Sequence, residues 1–196
     1  MIGLWLKYST LNPDAVIATL KTALKKLSDA GLIILVYATS GSGLPFITHV
    51  NEKKCKLLFL DIGLVKRACN LDLKLLFTEQ LTLINKGALA EQFVGQELLA
   101  YMGKEESNIL FSWFREEKSS SAAIDFLIAV DSHIVPIEVK AGTIGTLRSL
   151  KLFLTEKKIS LGIRVSESPL SLNKDILSVP FYLIEQIPRL VREFYT

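Results

Sequence analysis

Two short stretches place charge inside what otherwise reads as apolar strand: Ile124-Asp125-Phe126-Leu127-Ile128 and Val135-Pro136-Ile137-Glu138-Val139-Lys140. If they form a hairpin around the two-residue turn Asp131-Ser132, Val130 stands opposite His133, and the register sets Asp125 directly opposite Glu138. Lys140, two residues further on, shares that face, and the other face is predicted to be buried: Ile124, Phe126, Ile128, Val130, Val135, Ile137 and Val139. Two facing carboxylates repel, by about 0.2–1 kcal/mol before burial raises the cost, so something positive must lie between them. Lys140 could do this as a structural ion pair. A divalent cation held by both carboxylates, with Lys140 beside it, would do it too, and an oxygen-only ligand set suits Mg²⁺ or Mn²⁺ better than zinc.

The elements that must hold this hairpin can be read from periodicity. A helix is predicted over 12–31, from Asn12-Pro13 as N-cap and first turn to Gly31, with Val16, Ile17, Leu20, Ala23, Leu24 and Leu27 as an apolar stripe and Lys21, Lys25 and Lys26 outside it. Strands are expected next at 32–39 and 55–61 around a Ser/Gly/Pro loop; helix plus hairpin has the outline of a winged-helix ending, or the hairpin packs on the domain C-terminal to it. Short helices are expected over 63–83 and a stronger one over 87–101, with Leu89, Phe93, Val94, Leu98 and Tyr101 near one face. Strands at 109–115, 123–130 and 134–140, a helix over 146–157, strands at 161–165 and 179–184 and a last helix over 185–195 complete an α/β fold with a mixed sheet.

Composition narrows the class. In 196 residues, 49% apolar and 22% charged, disorder and fibres are excluded and one domain, or one with a small companion, is expected. No apolar run reaches the roughly 20 residues of a membrane span, and Met1 to Lys7 is too short for a signal core, so a cytoplasmic location without membrane contact is expected. Cys55 and Cys69 stand apart from each other and from His49 and His133, against a zinc site or disulfide framework. Residues 140–196 carry nine Lys/Arg against five Asp/Glu, a mild surplus compatible with a polyanion.

Asp125 in Ile-Asp-Phe, followed after a short hairpin by Ile-Glu-Val-Lys at 137–140, resembles the PD-(D/E)XK nuclease superfamily, and Glu91 in Ala90-Glu91-Gln92 matches the acidic residue of its preceding helix. More narrowly, from about Tyr8 to Leu190, the chain resembles a domain-of-unknown-function family found C-terminal to the ATPase module of uncharacterised prokaryotic AAA-type ATPases. The similarity runs through Lys56-Leu57-Leu58-Phe59-Leu60-Asp61-Ile62-Gly63-Leu64, residues 86–93, 113–115, the hairpin and 180–184. The resemblance implies a restriction-endonuclease-like mixed sheet flanked by helices over 61–196, preceded by a partial winged-helix-like segment over 1–60. It implies Asp125 and Glu138 as metal ligands, the Val139 carbonyl as a further one, Glu91 reaching the metal directly or through water, and Lys140 orienting or activating the attacking water.

The function expected on this resemblance is Mg-dependent hydrolysis of DNA phosphodiesters, metal and lysine offsetting the charge that develops during in-line attack. A non-catalytic interaction or regulatory module of an AAA-type ATPase is the alternative. The chain has no Gly-x-x-x-x-Gly-Lys-Ser/Thr phosphate loop, so it is expected to be a fragment of a longer ATPase or a free-standing derivative without that module. Ala122-Ala123 stand before Ile124-Asp125, where the family often has an acidic or polar residue just ahead of the strand aspartate; this is expected to alter the rim of the site. Glu91 has a plainer reading as a solvent-facing carboxylate, with Glu97 as its competitor. Arg148 and Lys151 could touch phosphate but read better as a solvated face, and Phe111 and Trp113 read as core. Glu116, Glu117 and Lys118 read as a solvated loop; His49 and His133 receive no role. A homodimer is left open, through apolar surface exposed where an N-terminal module once packed.

Overall fold

The computed structural model describes residues 5–68, 79–101, 109–117, 120–142 and 145–196. Its centre is one mixed sheet of eight strands in the order β2-β1-β3-β4-β5-β6-β8-β7. In chain order the elements are α1 (Tyr8–Leu11), α2 (Ile17–Asp29), β1 (Ile33–Thr39), β2 (Val50–Phe59), α3 (Ile62–Ala68) and α4 (Glu79–Tyr101). After these come β3 (Leu110–Glu117), β4 (Ser120–Val130), β5 (His133–Val139), α5 (Arg148–Lys157), β6 (Gly162–Ser166), β7 (Ser171–Asn173), β8 (Ile176–Pro180) and α6 (Ile187–Tyr195). The fold class is therefore α/β with a mixed sheet, and no described helix is long and apolar enough to cross a membrane.

Helix α4, the 3₁₀ turn Phe181–Gln186 and α6 cover one face of the sheet, over a core that includes Val94, Leu98, Phe126, Ile137, Ile163, Val179 and Val191. Helix α5 covers part of the other face, where Leu150, Phe153 and Leu154 meet Trp113, Ile124 and Leu127. The hairpin β1–β2 is not an appendage. Its first strand pairs in parallel with β3, from Val36 opposite Leu110 to Thr39 opposite Trp113, so both strands extend the sheet.

The β4–β5 hairpin keeps the two-residue turn and the register read from the sequence, from Val130 opposite His133 to Phe126 opposite Ile137, with Asp131 in the left-handed region (φ 53°). The expected apolar face needs one correction. Trp113 pairs with Ile124 but Phe111 pairs with Leu127, so Ser112 alone on β3 stands against Asp125 and Phe126 on β4: a bulge. The extra residue sends Ile124 to the α5 side, away from Phe126, Ile128 and Val130, which pack toward α4.

Two further boundaries differ. Asn12 does not cap a helix; its Oδ1 accepts the Asp14 N–H, an Asx turn that keeps Asn12-Pro13 in a loop, and α2 starts at Ile17. On α2 only Leu20 and Leu24 of the predicted stripe are half-buried, while Val16, Ile17, Ala23 and Leu27 are exposed. Residues 181–184, expected as strand, wind into the 3₁₀ turn because the β6–β8 ladder ends at Ser166 opposite Pro180 and the chain turns there into α6. Cys69 and residues 70–78 of the expected 63–83 helices lie outside the described residues, which place α3 on one side of that gap and the start of α4 on the other.

Candidate functional site

Placement of α4 decides what the site can be. Gln92 is fully buried and clamps the backbone of β2 with both ends of its amide: Oε1 accepts the Phe59 N–H (2.9 Å) and Nε2 donates to the Phe59 carbonyl (2.8 Å). Gln96, one turn on, accepts the Ile62 N–H at 3.1 Å. Between them Gly95 lets the helix lie close on the sheet, since a Cβ there would stand 2.3 Å from Leu58 Cδ1 and 2.9 Å from Phe126 Cζ. With α4 held in this rotation, Glu91 faces the sheet rather than solvent and is 8% exposed.

Lys56 meets it there. On β2, Lys56 pairs opposite Val36 and lies two residues from Leu58, both of which pack toward α4, so alternation aims Lys56 at the same face. It is 3% exposed, and its Nζ donates to Glu91 Oε1 at 2.7 Å and to Asp125 Oδ1 at 3.5 Å. The Trp5 ring lies 5.3 Å from the same nitrogen, and Trp5 forms a bridge to Lys56 across the strand edge. Burial alone would lower the Lys56 pKa, but the two carboxylates more than offset it and hold the amine above its ordinary value.

Asp125 owes its position to the bulge. Turned toward the Lys56 side, it also receives the Val139 N–H on Oδ2 at 2.8 Å, replacing a backbone acceptor where β4 and β5 part. Glu138 leaves β5 on the face opposite Ile137 and Val139, sits opposite Arg164 of β6, and accepts from Lys140 Nζ at 2.6 Å through Oε1. Its other oxygen, Oε2, is buried and accepts no hydrogen bond from a described residue. The carboxylates meet around the end of the hairpin rather than side by side on one face.

This crowding sets the electrostatics. Burial, then the Asp125 charge, pushes the Glu91 pKa up to about 7, against the opposing pull of Lys56. Burial and the same Asp125 charge push Glu138 up to about 7, against Lys140 and Lys56. Three carboxylates thus share two lysines in a site largely shut from water. Among the described residues, no group of three or more His, Cys, Asp or Glu side chains is arranged to hold a metal ion. A set of two fits better: Asp125 and Glu138 are hard oxygen donors, and Glu138 Oε2, the oxygen not given to Lys140, accepts from no described residue.

The structure brings together Glu91, Asp125, Glu138 and Lys140, with Val139 between the last two at the end of β5. Glu97 lies elsewhere, accepting from the Tyr101 hydroxyl. Arg148 and Lys151 are exposed on α5. Trp113 and Phe111 pack edge-on or tilted against Phe153 and Phe46, as core residues do. His133 stacks on Tyr195, with ring centroids 3.8 Å apart. Cys55 is a buried free thiol whose pKa burial raises. The side chains of Glu116 and Glu117, and all of Lys118, lie outside the described residues. Sequence reasoning missed Lys56; its one signal is a lysine in phase with Leu58 on a strand whose last residues are apolar.

A family model described as Domain of unknown function (DUF4143) matches residues 86–182. The match takes in Glu91, Asp125, Glu138 and Lys140 but stops short of Lys56. No curated protein and no solved structure matches the chain.

Proposed function

We propose that this chain carries a restriction-endonuclease-like, PD-(D/E)XK-type site that hydrolyses DNA phosphodiester bonds with Mg²⁺ or Mn²⁺, as the C-terminal part of an AAA-type ATPase or a free-standing derivative of one. The observation that carries the reading is the meeting of Asp125, Glu138 and Lys140 where the hairpin ends, with Glu138 Oε2 buried and without a hydrogen bond from any described residue. A buried acceptor without a donor costs about 1–3 kcal/mol, more when charged, so a ligand there would recover what the fold gives up. Asp125 and Glu138 would hold the cation, with the Val139 carbonyl within the same strand end. When bound, the cation would supply Lewis-acid polarisation of a phosphoryl oxygen and a water of lowered pKa.

The protein's own groups do the rest. The Val139 N–H fixes the Asp125 carboxylate through Oδ2, while Oδ1, 3.5 Å from Lys56 Nζ, keeps a lone pair for ligation. Lys140 is about a quarter exposed at the side chain, so its ammonium can turn from Glu138 toward a phosphate oxygen or the attacking water. A non-catalytic module of an AAA-type ATPase is the second reading, favoured by the buried Lys56–Glu91 pair, which by itself neutralises part of the cluster.

The test uses supercoiled and branched DNA with Mg²⁺ or Mn²⁺, and Asp125→Asn and Glu138→Gln as variants. Metal-dependent nicking that drops at least about 100-fold in either variant supports the nuclease. Absence of both cleavage and divalent-ion binding in the unaltered protein overturns it and leaves the interaction module.

A further inference from the structure

We infer that Lys56 is a built-in cation of this site: its ammonium holds the place of a second divalent ion, so the chain takes one such ion and Glu91 serves to hold Lys56 rather than metal. The inference rests on the metal-binding reading above and goes beyond it in assigning Lys56 and reassigning Glu91.

The geometry carries the argument. A cation between Glu91 and Asp125 would have to displace an ammonium that is already 2.7 Å from one carboxylate and 3.5 Å from the other. That ammonium has almost no route out. Lys56 is 3% exposed, Trp5 stands over it, and its strand is locked to α4 through the Gln92 clamp on Phe59. A buried ammonium separated from its carboxylates would be an uncompensated charge in an apolar setting, which folded chains do not sustain. Glu138 differs: its Oε2 has no partner to displace among the described residues. The cluster is therefore divided into a side neutralised by the protein's own cation, at Glu91 and Asp125, and a side at Glu138 Oε2 with no donor among the described residues. Lys56 is a positioning residue, since its burial keeps it from substrate; its charge offsets Asp125 on one side while the other Asp125 oxygen is held by Val139.

The experiment counts bound Mn²⁺ per chain by electron paramagnetic resonance at pH 8, with Mn²⁺ alone as probe, in the unaltered protein, Lys56→Met, Lys56→Arg and Lys56→Met/Glu91→Gln, each checked for folding by circular dichroism. One Mn²⁺ in the unaltered protein and in Lys56→Arg, and two in Lys56→Met, is the expected result. The double variant, which removes both ends of the buried pair, is expected to bind one, and it decides whether Glu91 is a metal ligand if Lys56→Met does not fold. One Mn²⁺ in a folded Lys56→Met, or none in a folded double variant, overturns the inference, because Glu91 would then be a metal ligand or the place beside it would take no cation. If the unaltered protein binds none and Lys56→Met binds one, Lys56 stands as the resident cation and the divalent-metal reading of the site fails instead. None in either overturns both.

Discussion

Two glycines of α4 make opposite predictions for the same substitution. Replacing glycine by alanine inside a helix stabilises it by about 1 kcal/mol when nothing else changes. Gly87 is exposed and a Cβ there meets no atom within 4 Å, so Gly87→Ala is expected to gain that amount. At Gly95 the added carbon would lie 2.3 Å from Leu58 Cδ1, 2.9 Å from Phe126 Cζ and 3.1 Å from Phe126 Cε1. Leu58 and Phe126 are fully buried and have no open space to swing into, so the helix must lift from the sheet. Overpacking of this kind costs about 1–3 kcal/mol, and two immobile neighbours put it at the upper end. Set against the helical gain, Gly95→Ala should lose about 2 kcal/mol. For a chain of this size that is a melting temperature roughly 4–8 °C lower, against a rise of roughly 2–4 °C for Gly87→Ala. Urea unfolding followed by circular dichroism at 222 nm gives both values with one protocol. If Gly95→Ala proves as stable as Gly87→Ala, the close seating of α4, and with it the burial of Glu91 against Lys56, is wrong.

The buried carboxyls make stability depend on pH. Glu91 and Glu138 have folded pKa values of about 7, above the usual carboxyl value, so between pH 4.5 and 7 the folded chain binds protons that the unfolded chain has released. Their stabilisation is complete below that window and lost as pH rises through 7, by a few kcal/mol in total, so metal-free protein should show a higher urea midpoint at pH 5 than at pH 8; a midpoint rising toward pH 8 would refute the raised values. Gln92→Leu strips both Phe59 backbone groups of their partner and is expected to cost about 2–4 kcal/mol by the same assay, against about 1 kcal/mol for Gln96→Leu, which frees one donor; equal losses would argue against the clamp.

The hairpin at the centre was readable because a strand period of two, interrupted by a two-residue turn, leaves few registers. The bulge was not, since nothing in Ala123-Ile124-Asp125-Phe126 marks an extra residue until β3 is laid beside it. Glu91 was found by its place in a motif, but its burial depends on Gln92 and Gln96, polar residues whose backbone partners on β2 and at the start of α3 are known only after folding. Lys56 follows closely on Lys53 and Lys54 in a basic run, and only Leu58 in phase with it hints at the inward face. Asn12-Pro13-Asp14 misled because the same residues that cap helices also make Asx turns, and the local signal does not choose between them.

The buried triad also bears on how the chain comes together. Lys56, Glu91 and Asp125 arrive from β2, α4 and β4, parts of the chain that are distant in sequence. An ammonium cannot shed its water until its counter-charges are in place, so none of these three elements can seal against the others early. The hairpins β1–β2 and β4–β5 close by short loops, while the parallel pairing of β1 with β3 must wait for everything between them to be synthesised. Dehydration of Lys56 thus belongs to the final step of assembly, and it ties the first strands of the sheet to the rest in a single cooperative unit.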